Sequence, residues 1–482
     1  MSQLPDPRDE RIAQLEAENA VLHEQVAALL ARVGELEGQR AKDSHNSSKP
    51  PSSDGLGRGV RKNRSLRERS GKKPGGQAGH RGTTLRLVEA PDAVEVHRPA
   101  VCGHCAAPLG GAAAERVERR QVHDLPPVRL VVCEHRVETV RCPVCQATTS
   151  AAFPAGVNGP AQYGPRLRAL ATYLAQQQLL PYGRVRELLA DVLGQAVSVG
   201  TLVSVVRRGA ETLRATTTAI RAQLAGEAAQ HHDETGARLV GRLHWLHVQS
   251  SRWRTHYTLH AQRGGAAITL VDQPEFGGVH VHDGWAAYRR LSGRHALCNV
   301  HHLRELTYLA EEQHQTWAAD FKRLLQEMKA AVDHAQAAGQ TRLPQAERRA
   351  WHARYEALLV TGVLATAAPA SHPPGPTPRR RGRRKQTPAR NLLDRLWLYQ
   401  DQVLAFLDDF TVPFDNNQAE RDLRMVKVQQ KISGTFRSRA GADAFCVLRG
   451  YLSTLRKQGY ALLAALEAAF TGHPLLPHGA PE

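Results

Sequence analysis

Three carboxylates in this 482-residue chain sit among neighbours that suit metal-assisted chemistry on phosphodiesters. Asp233 lies in His231-His-Asp-Glu-Thr235, just ahead of an apolar run of strand length at residues 243–248. Asp283 follows a second such run, 279–281, and is itself followed by Gly284; a third run covers 255–259. This pattern predicts that both aspartates sit within or beside neighbouring strands of one sheet, which would hold them rigidly. A third acid comes from Phe414-Asp-Asn-Asn-Gln-Ala-Glu-Arg-Asp-Leu-Arg424. Residues 415–417 look like a helix start, which puts Glu420 within the first turn or so, with Arg421 and Arg424 beside it to neutralise phosphate. Asp415 reads as a helix-start acid and Asp422 as a surface acid. Oxygen ligands of this kind suit Mg²⁺ or Mn²⁺, and two such ions about 4 Å apart activate a nucleophile and stabilise a leaving oxygen. An isolated Asp is more often a cap or a solvated charge, so the three acids gain meaning only as an ordered set.

Other residues outline the elements around these acids. Cys102 and Cys105, and likewise Cys142 and Cys145, form two C-x-x-C pairs among seven cysteines. Two such knuckles fill the four positions of a tetrahedral structural Zn²⁺, and this suits a reducing compartment better than disulfides. The alternating run at 128–140 suggests that strands fill the gap between them. Ile12, Leu15, Asn19, Leu22, Val26, Leu29, Val33 and Leu36 recur at spacings of three and four, an a/d seam with Leu at d and Asn19 at one a position, which predicts a parallel two-stranded coiled coil. The formal charge of +18 is concentrated: residues 49–82 hold ten Lys or Arg against two acids, and 379–385 hold six with none. Such arms suit a polyanion, with solvated linkers as the plainer alternative. Within 165–225, a helix at 183–193, a break at Gly194 and a second helix at about 199–208 capped by Ser198 have helix-turn-helix proportions. DNA reading through Thr201, Ser204, Arg207 and Arg208 stands there against plain helical packing. Cys298, His301, His302, Arg304 and Glu305 fall on a further predicted helix, where lining or packing beside the cleft outweighs a second metal site.

The chain resembles transposases of the insertion-sequence-66 family, a branch of the DDE transposases. The resemblance is carried by the zipper, Gly75-Gly-Gln-Ala-Gly-His-Arg-Gly82, the paired knuckles, His232-Asp-Glu-Thr235, His282-Asp-Gly284, Asn416-Asn-Gln-Ala-Glu-Arg421 and Gln430-Lys-Ile-Ser-Gly-Thr-Phe-Arg437. It implies an RNase H-like catalytic core with Asp233, Asp283 and Glu420 as its acids. It also implies a long helical insertion between the second acid and the third, and accessory proteins encoded by the same element.

The expected architecture is a multidomain α+β protein. A coiled coil (9–40) and a basic tether (41–84) precede a zinc-binding domain (85–155) and a helical domain (160–225). A catalytic core (226–455) with an insertion at 286–400 and a basic loop at 366–389 follows, then a C-terminal helix and tail (456–482). The expected partners are the element's terminal inverted repeats, target DNA and a second copy of the chain. Lys72, Lys73, Arg81, Arg207, Arg208, Arg421, Arg424, Lys431 and Arg437 are the DNA-contacting candidates, with Lys427 and Arg439 in the same cationic stretch. The absence of a signal sequence or of an apolar run of about 18 residues predicts a cytoplasmic, nucleoid-associated bacterial protein rather than a membrane one. A non-catalytic zinc-containing DNA-binding regulator and an RNase H-like nuclease are the rival readings; cutting and joining of DNA separates all three.

Overall fold

The computed structural model describes residues 84–366 and 386–477, with scattered positions between 16 and 29 and between 79 and 82. Of the heptad seam, Asn19, Leu22, Val26 and Leu29 are described; they are helical and exposed. Ile12, Leu15, Val33, Leu36, Lys72, Lys73, Arg81 and residues 367–385 of the basic loop lie outside the described residues.

The chain divides into two units, one of Gly57–Cys133 with Val192–Gly194 and one comprising the remainder. The described part of the first unit is mostly irregular backbone tied by local hydrogen bonds. Val88 N–H donates to Gln121 Oε1 at 2.7 Å, and Gln121 Nε2 donates back to Val88 O at 2.8 Å.

In the second unit, β1 (Thr139–Arg141) and β2 (Thr148–Ser150) form an antiparallel hairpin. The strands expected over 128–140 reduce to its last two residues. Val131 and Val132 are 89% and 90% exposed, so burial gives that stretch no reason to pair. Helix α1 (Pro165–Thr172) runs into a π-turn, and α2 (Tyr182–Leu193) and α3 (Val199–Leu224) follow. The Ser198 side chain caps α3 by accepting Thr201 N–H at 3.1 Å. The helix runs well past the expected end near Arg208, because a buried stripe of Leu213, Ile220 and Leu224 continues its apolar face.

The sheet follows: β3 (Ala229–Leu239), β4 (Arg242–Ser250), β5 (Thr255–His260), β6 (Val279–His282) and β7 (Arg294–Leu297), in the spatial order β5-β4-β3-β6-β7. The first three strands are antiparallel, whereas β6 and β7 add in parallel to β3. Val240 and Gly241, with φ of 50° and 76°, make the two-residue β3–β4 turn, whose twist matches the strands it joins. Helix α4 (Gly265–Val271) connects β5 to β6.

After β7, the helices α5 (Asn299–Glu311), α6 (Thr316–Ala337), α7 (Gln345–Ala365), α8 (Pro388–Leu398), α9 (Gln400–Val403) and α10 (Ala405–Asp408) build a separate apolar cluster around Phe321, Leu325, Tyr355 and Leu392. Since α8 starts at Pro388, the expected basic loop is shorter at its C-terminal end. Finally α11 (Asn417–Ser433) and α12 (Arg439–Lys457) return to cover one sheet face, where Leu423, Val426 and Phe445 pack on Leu246, Val248, Tyr257 and Leu259. Helix α13 (Leu462–Phe470) ends the regular structure. Among the described residues, no helix is long and apolar enough to cross a membrane.

Candidate active site

Side chains alternate along β3, so Asp233 shares a face with His231 while His232 and Glu234 turn to the other. Strands β3 and β6 pair in parallel, with Ala229 beside Val279 and His231 beside Val281. Two residues further along, the same register sets Asp233 beside Asp283, just where β6 ends and Gly284 turns the chain at φ +88°. Asp283 Oδ1 accepts Trp285 N–H at 2.9 Å, which fixes that turn. Glu420 is the fourth residue of α11, the helix packed on β3 and β4, so the third acid arrives over the face that holds the first two.

The electrostatics agree with this convergence. Burial raises Asp233 well above the usual carboxylate range, and Glu234, Asp283 and Glu420 push it further. Asp283 is pushed up to about 7, by burial first and then by Glu234 and Glu420, against the opposing pull of Trp285 N–H and Arg263. Glu420 is raised by burial and by Asp415, while Arg304 and Arg424 pull it down. Arg304 and His301 of α5 each approach Glu420 to 3.9 Å. Burial, Arg304 and Arg395 push the His301 imidazolium down to about 3, so at neutral pH His301 supplies no countercharge. Lys427, seven residues beyond Glu420, is pulled down by burial and held up by Asp233.

Glu420 Oε1 is buried without a hydrogen-bond partner. Among the described residues, no three His, Cys, Asp or Glu side chains are gathered closely enough to cage an ion as they stand. The acids thus influence one another without closing on one point. Their all-oxygen donor set, crowded like charge and unpartnered oxygen suit a hard divalent cation.

The opposite sheet face holds groups that sequence reasoning missed. Glu234, fully buried, pairs with Arg263 at 2.5 Å and accepts the Tyr288 hydroxyl, while Trp245 and Trp285 flank the Arg263 guanidinium at 5.0 and 4.3 Å. His232 Nε2 meets His280 Nδ1 at 2.8 Å, and His282 Nε2 meets His295 Nδ1 at 3.0 Å. Burial lowers all four imidazoles, so these rings pack in the neutral form. The alternation of His280 and His282 around Val281 was their one sequence signal. Asp422 is a correction: it is buried and ion-paired to Lys457 at 2.8 Å, with Gln418 Nε2 donating to the same oxygen at 3.1 Å.

The knuckles share one local geometry. Cys102 N–H donates to Ala107 O and Cys142 N–H to Ala147 O, each at 2.8 Å, and Ala106 and Gln146 take φ of 57° and 60°. Backbone N–H groups of Cys105 and His104 lower the Cys102 thiol below its ordinary range, and those of Cys145 and Val144 do the same for Cys142. Cys298, by contrast, is buried, and burial pushes its thiol up to about 12.

Of the DNA-contacting candidates, Arg207 and Arg208 are exposed on α3 and, with Ser204, Glu211, Arg214 and the Ala440 end of α12, line a groove of about 430 Å³. Arg421, Arg424, Lys431 and Arg437 are exposed along α11 and just beyond it.

A five-stranded mixed sheet flanked by helices defines an α+β protein. The chain belongs to the transposase IS66 family, whose profile matches residues 160–444. DNA transposition is therefore its function, DNA its binding partner, and cleavage and transfer of DNA its class of activity. Residues 2–86 match a second profile, a family of unknown function (DUF6444), and no curated protein matches the chain.

Proposed function

We propose that the chain is a DDE-type transposase. It cleaves the ends of its insertion sequence and joins them to target DNA, using Asp233, Asp283 and Glu420 of an RNase H-like core. The carrying observation is the parallel β3–β6 register that runs toward Asp233 and Asp283, with α11 packed on β3 and carrying Glu420 in its first turn. The strand order, three antiparallel strands followed by two parallel ones, supports the core assignment. Asp233, Asp283 and Glu420 would hold Mg²⁺ or Mn²⁺, which would supply a nucleophile at neutral pH and charge stabilisation for the leaving oxygen. The residues of the chain do the rest. Asp233 within β3 and Asp283 at the end of β6 give fixed donors, and α11 delivers Glu420, whose charge Arg304 and Arg424 hold in place. Lys427 sits near Asp233 as a cation for the scissile phosphate.

The same reading assigns dimerisation to the N-terminal zipper. It makes the α3 groove a track for the DNA backbone.

The test is cleavage and strand transfer of a labelled element end in Mg²⁺ or Mn²⁺, with gel-shift binding in parallel. Asp233→Asn, Asp283→Asn and Glu420→Gln should each lose activity by roughly a hundredfold or more while still binding the end, because each removes a donor needed only for chemistry. Asp415→Asn is the control, since that carboxylate accepts Asn417 N–H at the helix start. Asp422 cannot serve, because its loss breaks a buried ion pair. Normal cutting by Glu420→Gln would remove it from the set; normal cutting by all three would overturn the assigned acids, and a parent protein that binds the end but neither cuts nor joins it would favour the regulator.

A further inference from the structure

We propose that Asn416 is the positioning residue of this site, a staple that fixes Glu420 against both aspartates. The inference rests on the assignment of Asp233, Asp283 and Glu420 as the metal-holding acids. Asn416 immediately precedes α11, four residues before Glu420, and is fully buried. Its side-chain amide serves β3: Nδ2 donates to His232 O at 2.7 Å, and Oδ1 lies 2.9 Å from His231 Nδ1. With Nδ2 committed to a carbonyl, Oδ1 must accept, so His231 carries its ring proton on Nδ1.

The backbone of Asn416 makes the other connection. Its N–H donates to Cys298 Sγ at 3.2 Å, and Cys298 N–H donates to His282 O at 2.9 Å. The staple therefore ends on the carbonyl just before Asp233 and, through Cys298, on the carbonyl just before Asp283. Three acids from three elements share one set of directional bonds. An apolar residue would fill the same space, but it would leave His232 O and His231 Nδ1 buried without partners and let α11 slide along the sheet. A catalytic geometry tolerates little such movement, since a misplacement of about 1 Å can cost about a hundredfold in rate.

The experiment uses full-length protein and two measurements: Mn²⁺ binding by calorimetry, and kcat and KM for a labelled element end. Asn416→Asp keeps the size and the acceptor for His231 but turns an oxygen toward His232 O. It should weaken Mn²⁺ binding and lower kcat by about 10- to 100-fold, the range of outer residues that orient metal ligands, and leave KM for DNA unchanged. In a Glu420→Gln background it should weaken Mn²⁺ binding no further, because it acts through that side chain.

A purely structural role would lower the melting temperature without moving Mn²⁺ affinity in the folded protein. If Glu420→Gln weakens Mn²⁺ binding and a folded Asn416→Asp does not, the staple is wrong while the acid assignment stands. If Glu420→Gln itself leaves Mn²⁺ binding intact, the acid assignment fails, and the proposal with it. Should Asn416→Asp not fold, Cys298→Ala cuts the second arm, and a folded Cys298→Ala with unchanged Mn²⁺ affinity and kcat overturns the proposal.

Discussion

Asp283 shows what crowding carboxylates does to a fold. Its folded value of about 7 lies above the roughly 3.9 of a free aspartate, so between those values the unfolded chain has given up a proton that the folded chain retains. Its contribution to stability is complete below about 4 and is lost as pH rises through about 7. A divalent ion binds the ionised form and reverses that loss. In metal-free protein, Asp283→Asn should therefore gain in melting temperature over the parent between pH 5 and pH 8, and millimolar Mg²⁺ should remove the advantage. An advantage of equal size at both pH values would contradict the assigned environment. Asp422 marks the limit of legibility at this scale. It sits two residues from Glu420 and looks like any helix-surface acid, because its partner Lys457 lies 35 residues away and only the packing of α12 beside α11 brings them together.

At the scale of elements, the position of Asp283 depends on how closely β6 enters beside the chain leading into β3. Gly278 is the tight point: an added Cβ would lie 2.5 Å from the carbonyl oxygens of both Glu227 and Ala228. Backbone cannot swing aside as a flexible side chain can, so Gly278→Ala should destabilise the protein by about 2 kcal/mol or more and shift β6 relative to β3. Denaturant unfolding checks the first effect, and loss of cleavage in the protein that still folds checks the second. A variant as stable and active as the parent would mean that β6 enters differently. The runs at 243–248, 255–259 and 279–281 were legible as strands because their apolar residues are local. Strand β3, which carries Asp233, was not. Its polar side chains are buried through partners on other elements, including Asn416, His280 and Arg263, and none of these is visible from the strand's own residues. The start of α11 was readable for the opposite reason, since its start signals are local in sequence.

For the whole molecule, the distribution of charge predicts that holding DNA and cutting it are separable. The acids lie between the sheet and α11, whereas the α3 groove offers Arg207, Arg208 and Arg214 to solvent, with Arg214 partly neutralised by Glu211 at 2.7 Å. Each phosphate contact that displaces counterions contributes about 0.9 to the slope of log affinity against log salt, so replacing Arg207 and Arg208 together by Ala should reduce that slope by about two. Helix-turn-helix reading would behave differently: losing side chains that contact base edges lowers discrimination between the element end and scrambled DNA, by about 1–3 kcal/mol per contact. A backbone track weakens both DNAs alike and leaves their ratio unchanged. The length of α3 favours the track, because its buried stripe runs on to Leu224 and anchors it as a wall rather than a free recognition helix. Binding titrations of the double variant on both DNAs, from 50 to 200 mM salt, decide the matter. An unchanged slope removes the groove from the DNA path, and a collapsed ratio restores base reading by α3.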